Sequence, residues 1–179
     1  MKTIYFAGGC FWGVEKYFSL VKGVESTKVG YANGKLDNPS YEDLKKGLDT
    51  ASETVKIDYD ESVVSLEKLL ELYLRVVDPY SINKQGEDEG LQYRTGVYYL
   101  DSSDELIIRD YLSSHLDSNF KIEILPLSKF YLAEEYHQDY LNKNPNGYCH
   151  INMAKLKKEE MKYCYLCDTS VTTSVIKCS

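Results

Sequence analysis

The sequence contains no run of about 18 apolar residues of the kind that spans a bilayer. Lysine and arginine form no extended basic block: the densest stretch, "KLKKEEMK" at 155–162, is diluted by two glutamates, and the net charge is −7. These absences argue against a membrane protein and against nucleic acid as the main partner. The N-terminus also lacks the charged-then-apolar layout of a secretory signal, so we expect a cytoplasmic protein.

Cysteine is scarce and unevenly placed. The chain of 179 residues has five cysteines, an odd number, with Cys10 alone near the N-terminus. The other four lie in the last 31 residues, at Cys149, Cys164, Cys167 and Cys178. This is not the even, spread set that staples a secreted domain. In a reducing compartment it indicates thiol chemistry or metal binding.

The composition is that of one globular domain, with 43% hydrophobic and 27% charged residues. Apolar spacing predicts strands at 2–7, 24–32, 53–60, 94–100 and 121–127 and helices at 10–21, 39–47, 65–79, 102–116 and 133–144. The polar stretch between 80 and 93 is predicted to be a functional loop. This order favours an α+β fold, a two-layer α/β sandwich with a ferredoxin-like (split βαβ) core and a largely irregular C-terminal tail.

The stretch "FAGGCFWG" places Cys10 after a strand and two glycines, at the predicted start of a helix. Unpaired backbone N–H groups and the positive end of the helix dipole lower a thiol pKa there. Consecutive glycines also let the backbone approach a ligand closely. The residues alone leave another interpretation open, since free cysteine is often just a small buried hydrophobe.

"GGCFWG" resembles the signature of the peptide methionine sulfoxide reductases of the A type. The resemblance continues through "VGYANG", "PSYEDL", "SETVKIDYD", "NKQGEDEGLQYRTGVYY", "EEYHQDYLNKNP" and "GYCHIN". Several ordered motifs at matching separations are far more specific than one. The resemblance implies a reductase domain over residues 1–150, with residues 151–179 as a tail of the same domain.

The resemblance implies a thiol mechanism for reducing methionine sulfoxide, free or in proteins, with preference for the S epimer. Cys10 would attack the sulfoxide sulfur, release methionine and become a sulfenic acid. Glu53 would act as the general acid that protonates the sulfoxide oxygen. Cys149 would resolve the sulfenic acid as a disulfide, which an external dithiol such as thioredoxin would open. No bound cofactor or metal is expected, and we expect a monomer.

Other residues are assigned to substrate binding by the same resemblance. Tyr41 and Tyr93 would donate hydrogen bonds to the sulfoxide oxygen while staying neutral at pH 7. Phe11 and Trp12 would receive the methyl group. The resemblance also gives Asp88 a role in holding a water and the substrate, and it places Tyr148 near the active site. Without the motif, each would pass for an ordinary surface or core residue.

The chain departs from the common family pattern in three places. Ala51 stands where many members have a histidine, and "YANG" replaces Tyr-Ala-Gly-Gly. Residues 150–179 contain no glycine, although many relatives carry a second recycling cysteine in a glycine-rich tail. Cys164 and Cys167 form a Cys-x-x-Cys that suits a redox dithiol, half a zinc site or an incidental pair.

These departures keep other functions open. A second thiol relay through Cys164, Cys167 or Cys178 is favoured over a zinc site made from these three and Cys149. His137 and His150 could complete a metal site, but we interpret both as hydrogen-bonding residues. A redox sensor that binds oxidised methionine without reducing it, and a zinc-binding interaction domain, are the competing functions.

Overall fold

Six strands form one mixed sheet, and helices cover one of its faces, in the computed structural model, which describes residues 1–162. The strands of the sheet are β1 (Lys2–Gly8), β2 (Val24–Ala32), β3 (Ser52–Tyr59), β6 (Thr95–Tyr99), β7 (Glu123–Pro126) and β8 (Phe130–Leu132). A separate two-stranded hairpin consists of β4 (Lys84–Gln85) and β5 (Asp88–Glu89). The helices are α1 (Phe11–Ser19), α2 (Tyr41–Lys45), α3 (Leu66–Leu74), α4 (Ser102–His115) and α5 (Tyr140–Lys143).

The order of the strands across the sheet is β7-β6-β1-β3-β2-β8. Strand β1 is antiparallel to both β3 and β6, and β3 is antiparallel to β2. Strands β1 and β2 therefore run in the same direction, with β3 between them. Because α1 connects β1 to β2 across the intervening strand β3, the end of β1 leads directly into a helix packed on the sheet.

The core lies between the helices and one face of the sheet, as the alternation along β1 shows. Ile4 and Phe6 belong to the large cluster that also contains the apolar faces of the helices. Tyr5 and Ala7 point to the opposite face, where a small cluster packs against Phe130. This period of two follows from the pleat of a strand, and it explains why the helices lie on one side.

The structure differs from the sequence expectation in the segment after residue 129. Strand β8 was not predicted; it pairs with β2 at the edge of the sheet. The expected helix at 133–144 is reduced to a 3-10 turn at Glu135–His137 and the short helix α5. Gln138 binds the backbone of Val29 through both its Oε1 and its Nε2, and Asp139 adopts a left-handed φ of 54°. These contacts with the sheet override the local helical pattern.

The described part of the tail returns to the body of the protein. Met161 forms a β-bridge with Val21, just beyond α1. Glu160 accepts bonds from Arg75 at 2.8 and 2.9 Å, and Lys68 lies 2.7 Å from it. Residues 151–162 contain only two 3-10 turns of regular structure. No helix within residues 1–162 has the length and apolar character needed to cross a membrane.

Glu160 is expected to stabilise the protein at neutral pH, because its cationic partners lower its pKa to about 2. Glu160→Gln should reduce the free energy of unfolding at pH 7 by about 1–3 kcal/mol, as loss of hydrogen bonds to charged groups does. A carboxyl with a depressed folded pKa contributes above its unfolded pKa of about 4.3 and loses that contribution as the pH falls towards 2. Urea denaturation at pH 7 and pH 2 measures both effects.

Glu159→Gln is the matched control, since Glu159 is exposed. Its change should stay within about 0.5 kcal/mol. Equal effects of the two substitutions at pH 7 would contradict a stabilising role for the Glu160 contacts.

Candidate active site

Three strands bring the expected site residues together at one end of the sheet. Gly8, at the end of β1, pairs with Thr95, at the start of β6, and Ala7 pairs with Thr54 near the start of β3. Cys10 therefore follows the end of β1, while Glu53 lies at the start of β3 and Tyr93 ends the 3-10 turn just before β6. Antiparallel pairing makes these positions adjacent although they are far apart in sequence.

Cys10 is the N-cap residue of α1, and its side chain makes no capping hydrogen bond. It is 7% exposed. Burial raises the pKa of the Cys10 thiol, and the carboxylate of Glu53, once ionised, raises it further. The backbone N–H of Trp12 acts in the opposite direction. The expectation that the helix start would lower this pKa is therefore wrong: the amide has the predicted effect, but burial and Glu53 outweigh it.

Glu53 is buried beneath the first turn of α1. It is 2% exposed, and its Oε2 accepts a hydrogen bond of 3.1 Å from the backbone N–H of Phe11. Burial raises the pKa of Glu53 to about 8, and the charge of Asp88 adds to this, whereas the Phe11 N–H opposes it. The carboxyl therefore holds its proton at pH 7. A protonated carboxyl next to a thiol is suited to general acid chemistry.

A small cavity of about 100 Å³ opens at this point. It is lined by Cys10, Phe11, Trp12, Tyr41, Glu53, Asp88, Tyr93, His137 and Tyr148. Eight of the nine residues assigned above to catalysis or substrate binding thus share one cavity. Burial raises the pKa of both Tyr41 and Tyr93, and the charge of Glu53 adds to the rise. Their hydroxyls stay neutral and can donate hydrogen bonds.

The aromatic side of the cavity is held by residues from the segment after β8. The indole N–H of Trp12 donates to Nδ1 of His137 over 3.0 Å. The Trp12 ring also stacks on Tyr140, with centroids 3.8 Å apart and an angle of 12° between the planes. Phe11 is almost fully buried, so it serves the core as well as the cavity wall.

Asp88 lies in the short hairpin β4–β5, inside the stretch expected to be a functional loop. Its Oδ2 accepts a hydrogen bond of 3.0 Å from the hydroxyl of Tyr148. Tyr148 is 43% exposed, so it forms the outer rim of the cavity. This contact links the hairpin to the chain segment that contains the expected resolving cysteine.

Cys149 lies beside the first turn of α1. Its Sγ donates to the carbonyl of Ile151 over 3.3 Å, and a Cβ on Gly13 would lie 3.2 Å from it. Glycine at position 13 therefore allows the sulfur to approach the helix closely. Gly13 is three residues after Cys10, about one helical turn. Both cysteines are free thiols, and burial raises the pKa of Cys149.

Two residues support the site in ways that the sequence did not reveal. Glu134 accepts the backbone N–H of Tyr41 at 2.8 Å and the hydroxyl of Tyr31 at 2.7 Å, which positions the start of α2. Tyr140 lies in the quoted stretch "EEYHQDYLNKNP", but no role was assigned to it from the sequence. His137, interpreted as a hydrogen-bonding residue, accepts the Trp12 indole.

Cys164, Cys167 and Cys178 lie beyond the described residues 1–162. Within that range, no three His, Cys, Asp or Glu side chains are grouped so that they could hold a metal ion. The four-cysteine zinc site therefore has only Cys149 in the described structure.

The burial of Glu53 is expected to make stability depend on pH. Its folded pKa of about 8 exceeds the unfolded value, about 4.3, so the folded protein retains a proton that the unfolded chain has lost. The free energy of unfolding therefore falls as the pH rises through this window. Between pH 5 and pH 9, wild type should lose on the order of 4 kcal/mol more than Glu53→Gln.

Chemical denaturation at several pH values measures this difference. Glu87→Gln is the control, because Glu87 is an exposed glutamate in the turn before Asp88. It should follow the wild-type curve. A Glu53→Gln curve parallel to wild type would contradict a raised pKa at Glu53.

Comparison with known proteins identifies the family. The family model described as peptide methionine sulfoxide reductase matches residues 2–166. A protein of Lachnoclostridium phytofermentans named peptide methionine sulfoxide reductase MsrA is 58% identical over 156 residues, covering 86% of this chain and 94% of its own. The protein of the same name from Mycoplasma genitalium is 56% identical over 155 residues, covering 84% and 98%.

Solved structures agree with this result. The reduced form of Mxr1 from Saccharomyces cerevisiae has a TM-score of 0.78 at 34% identity, covering 84% of this chain and 91% of its own. Mxr1 has also been solved in a complex with Trx2; that structure matches at 24% identity and a TM-score of 0.53, covering 78% and 84%, and supports the fold alone. The chain belongs to the peptide methionine sulfoxide reductase family, in its MsrA type.

Proposed function

We propose that the protein reduces the S epimer of methionine sulfoxide, free or in proteins, with Cys10 as the nucleophile and Glu53 as the acid. The observation that supports this most directly is the pairing of a buried thiol with a buried, protonated carboxyl in one small cavity with aromatic walls. A sulfoxide oxygen is a poor leaving group until it is protonated. Both groups that the reaction needs are therefore side by side.

In the first step, the Cys10 sulfur attacks the sulfoxide sulfur while Glu53 donates its proton to the oxygen. The bond formed between the two sulfurs and the S–O bond of the substrate then break as the hydroxyl moves to Cys10, which becomes a sulfenic acid, and methionine is released. The substrate sulfur gains two electrons and the Cys10 sulfur loses two. The proton of the Cys10 thiol is transferred to Glu53, so the carboxyl ends the step protonated. A raised Cys10 pKa fits this exchange, since the thiol gives up its proton only during attack.

The cavity suits a sulfoxide in size and polarity. Tyr41 and Tyr93 would donate hydrogen bonds to the oxygen, because both hydroxyls are neutral. Trp12 and Phe11 would contact the methyl group, a favourable interaction for polarisable sulfur compounds. Asp88, which is tied to Tyr148, would hold a water and the substrate at the rim.

Cys149 is the proposed resolving thiol. Its sulfur lies beside Gly13, about one helical turn after Cys10, so both thiols border the first turn of α1. The resulting disulfide would be opened by an external dithiol of the thioredoxin type. A dithiol reductant can open this disulfide by thiol–disulfide exchange, and the yeast relative Mxr1 has been solved in complex with Trx2.

Residues 151–179 are proposed to form a tail of the same domain that receives oxidising equivalents. The described part of the tail is tied to the body through Glu160 and Met161, which supports a single domain. Cys164 lies two residues after Lys162, whose N–H binds the carbonyl of Leu20 at the end of α1.

The strand order also bears on the proposed fold. The antiparallel order β6-β1-β3-β2, with α1 crossing between β1 and β2, supports a ferredoxin-like core. We propose a monomer in the cytoplasm that works without a bound cofactor.

A single-turnover assay on chirally resolved sulfoxides tests the main proposal. Cys10→Ser should release no methionine, and Glu53→Gln should slow release by about 10²–10⁴-fold, the usual contribution of a positioned acid. Wild type should reduce the S epimer selectively. Measuring free methionine by quenched flow gives these rates. Activity in Cys10→Ser, or activity confined to the R epimer, would sink the proposal, and binding without release would indicate a sensor.

The tail relay has its own stoichiometric prediction. Without any external reductant, wild type should release two methionines per chain, because transfer of the disulfide to the tail frees Cys10 for a second reaction. The triple variant Cys164→Ser, Cys167→Ser, Cys178→Ser should release one. A wild-type value of one would show that the tail thiols take no part. Stoichiometric zinc in the purified protein would instead favour a metal site.

A further inference from the structure

His150 directly follows Cys149 and lies over the turn that precedes Cys10. Its Nε2 is 3.2 Å from the carbonyl oxygen of Gly8, which is two residues before Cys10. A carbonyl oxygen only accepts hydrogen bonds, so Nε2 must carry the proton and donate. The residue beside the resolving thiol is thus bonded to the backbone beside the nucleophile.

The imidazole packs between two glycine turns. A Cβ on Gly9 would lie 3.2 Å from Nε2, and one on Gly86 would lie 3.3 Å from the Cβ of His150. Gly9 and Gly86 have positive φ values of 84° and 58°, which glycine adopts without strain. The side chain is only 7% exposed. His150 therefore fills the space between the turn that leads to Cys10 and the hairpin that carries Asp88.

The other ring nitrogen is not satisfied. Nδ1 is buried without a hydrogen-bond partner and faces Oδ2 of Asp88 at 4.0 Å. Burial lowers the pKa of His150, while Asp88 and the Gly8 carbonyl oppose this. The ring is therefore neutral at pH 7, and the hydrogen bond to Gly8 is the polar contact that fixes it.

We propose that His150 is a positioning residue for the resolving step, holding Cys149 beside Cys10 through its hydrogen bond to Gly8. The inference rests on the proposed function, because it takes Cys149 as the thiol that reacts with the Cys10 sulfenic acid. In that step an S–S bond forms and the S–O bond of Cys10 breaks. The Cys149 sulfur is oxidised, the Cys10 sulfur is reduced, and the hydroxyl leaves as water with the proton of the Cys149 thiol.

The geometry explains why one hydrogen bond has a large effect on this step. The Cys149 thiol is otherwise held by its bond to Ile151 and by packing against Gly13, and the neighbouring Tyr148 bonds to Asp88 at the exposed rim. The segment 147–150 is partly exposed and contains no regular secondary structure. Without the His150 anchor it would sample other positions, and a displacement of about 1 Å can slow such a reaction about 100-fold.

Two substitutions separate positioning from simple packing. His150→Gln keeps an N–H donor at about the reach of Nε2, whereas His150→Leu keeps apolar bulk and loses the donor. His115→Leu, on the exposed end of α4, is the matched control. All variants carry serine at positions 164, 167 and 178, so that Cys10 and Cys149 are the only cysteines.

After one equivalent of sulfoxide is added, the experiment measures two steps over time. Quenched flow gives the rate of methionine release, and peptide mapping gives the rate at which the Cys10–Cys149 disulfide forms. His150→Leu should slow disulfide formation at least about tenfold and change methionine release less than about twofold. His150→Gln should stay within about threefold of the parent in both steps. The control should match the parent throughout.

Three outcomes would overturn the inference. Disulfide formation in His150→Leu could match the parent, it could be equally slow in His150→Gln, or methionine release could fall in parallel with it. Cys149→Ser in the same background tests the underlying function separately. If that variant accumulates no sulfenic acid and the parent forms no Cys10–Cys149 bridge, the resolving role of Cys149 fails, whatever the His150 variants do.

Discussion

Burial of the Glu53 carboxyl beneath the first turn of α1 is the constraint on which the site depends. The carboxyl is nearly inaccessible to water and accepts one backbone hydrogen bond, from Phe11. This environment keeps it protonated at neutral pH, at a cost to stability whenever the proton is lost. The same dry environment raises the pKa of Cys10. One feature of the packing thus sets the protonation state of both reacting groups.

The sheet topology makes this burial feasible. The end of β1 and the starts of β3 and β6 lie side by side, so that Cys10, Glu53 and Tyr93 meet without a long loop. The segment after β8 then closes the aromatic side through His137 and Tyr140. Glu134, at the start of that segment, also holds α2 and therefore Tyr41. The lining of the cavity consequently comes from six separate parts of the chain, at residues 10–12, 41, 53, 88–93, 137 and 148.

The sequence predicted the main strands and the order of elements well, because their alternating or helical apolar patterns are strong and local. The predictions that were wrong failed because of contacts in the tertiary structure. The helix expected at 133–144 is divided because Gln138 bonds to β2, and β8 exists only because β2 offers an edge. Among site residues, Cys10, Glu53 and Tyr93 were assigned roles from motifs. Glu134 and Tyr140 lie in the quoted motif "EEYHQDYLNKNP", but only their contacts in the structure show what they do.

By itself, the sequence determined which residues are available for chemistry and where most of the strands and helices of the sheet layer begin, since motifs and periodicity are written in local order. Only the tertiary structure decided the protonation states of Cys10 and Glu53. The helix start favoured a thiolate at Cys10, but burial and the nearby carboxyl reverse that preference. A pKa depends on the surroundings of a group in three dimensions, and those surroundings come from strands that are distant in sequence.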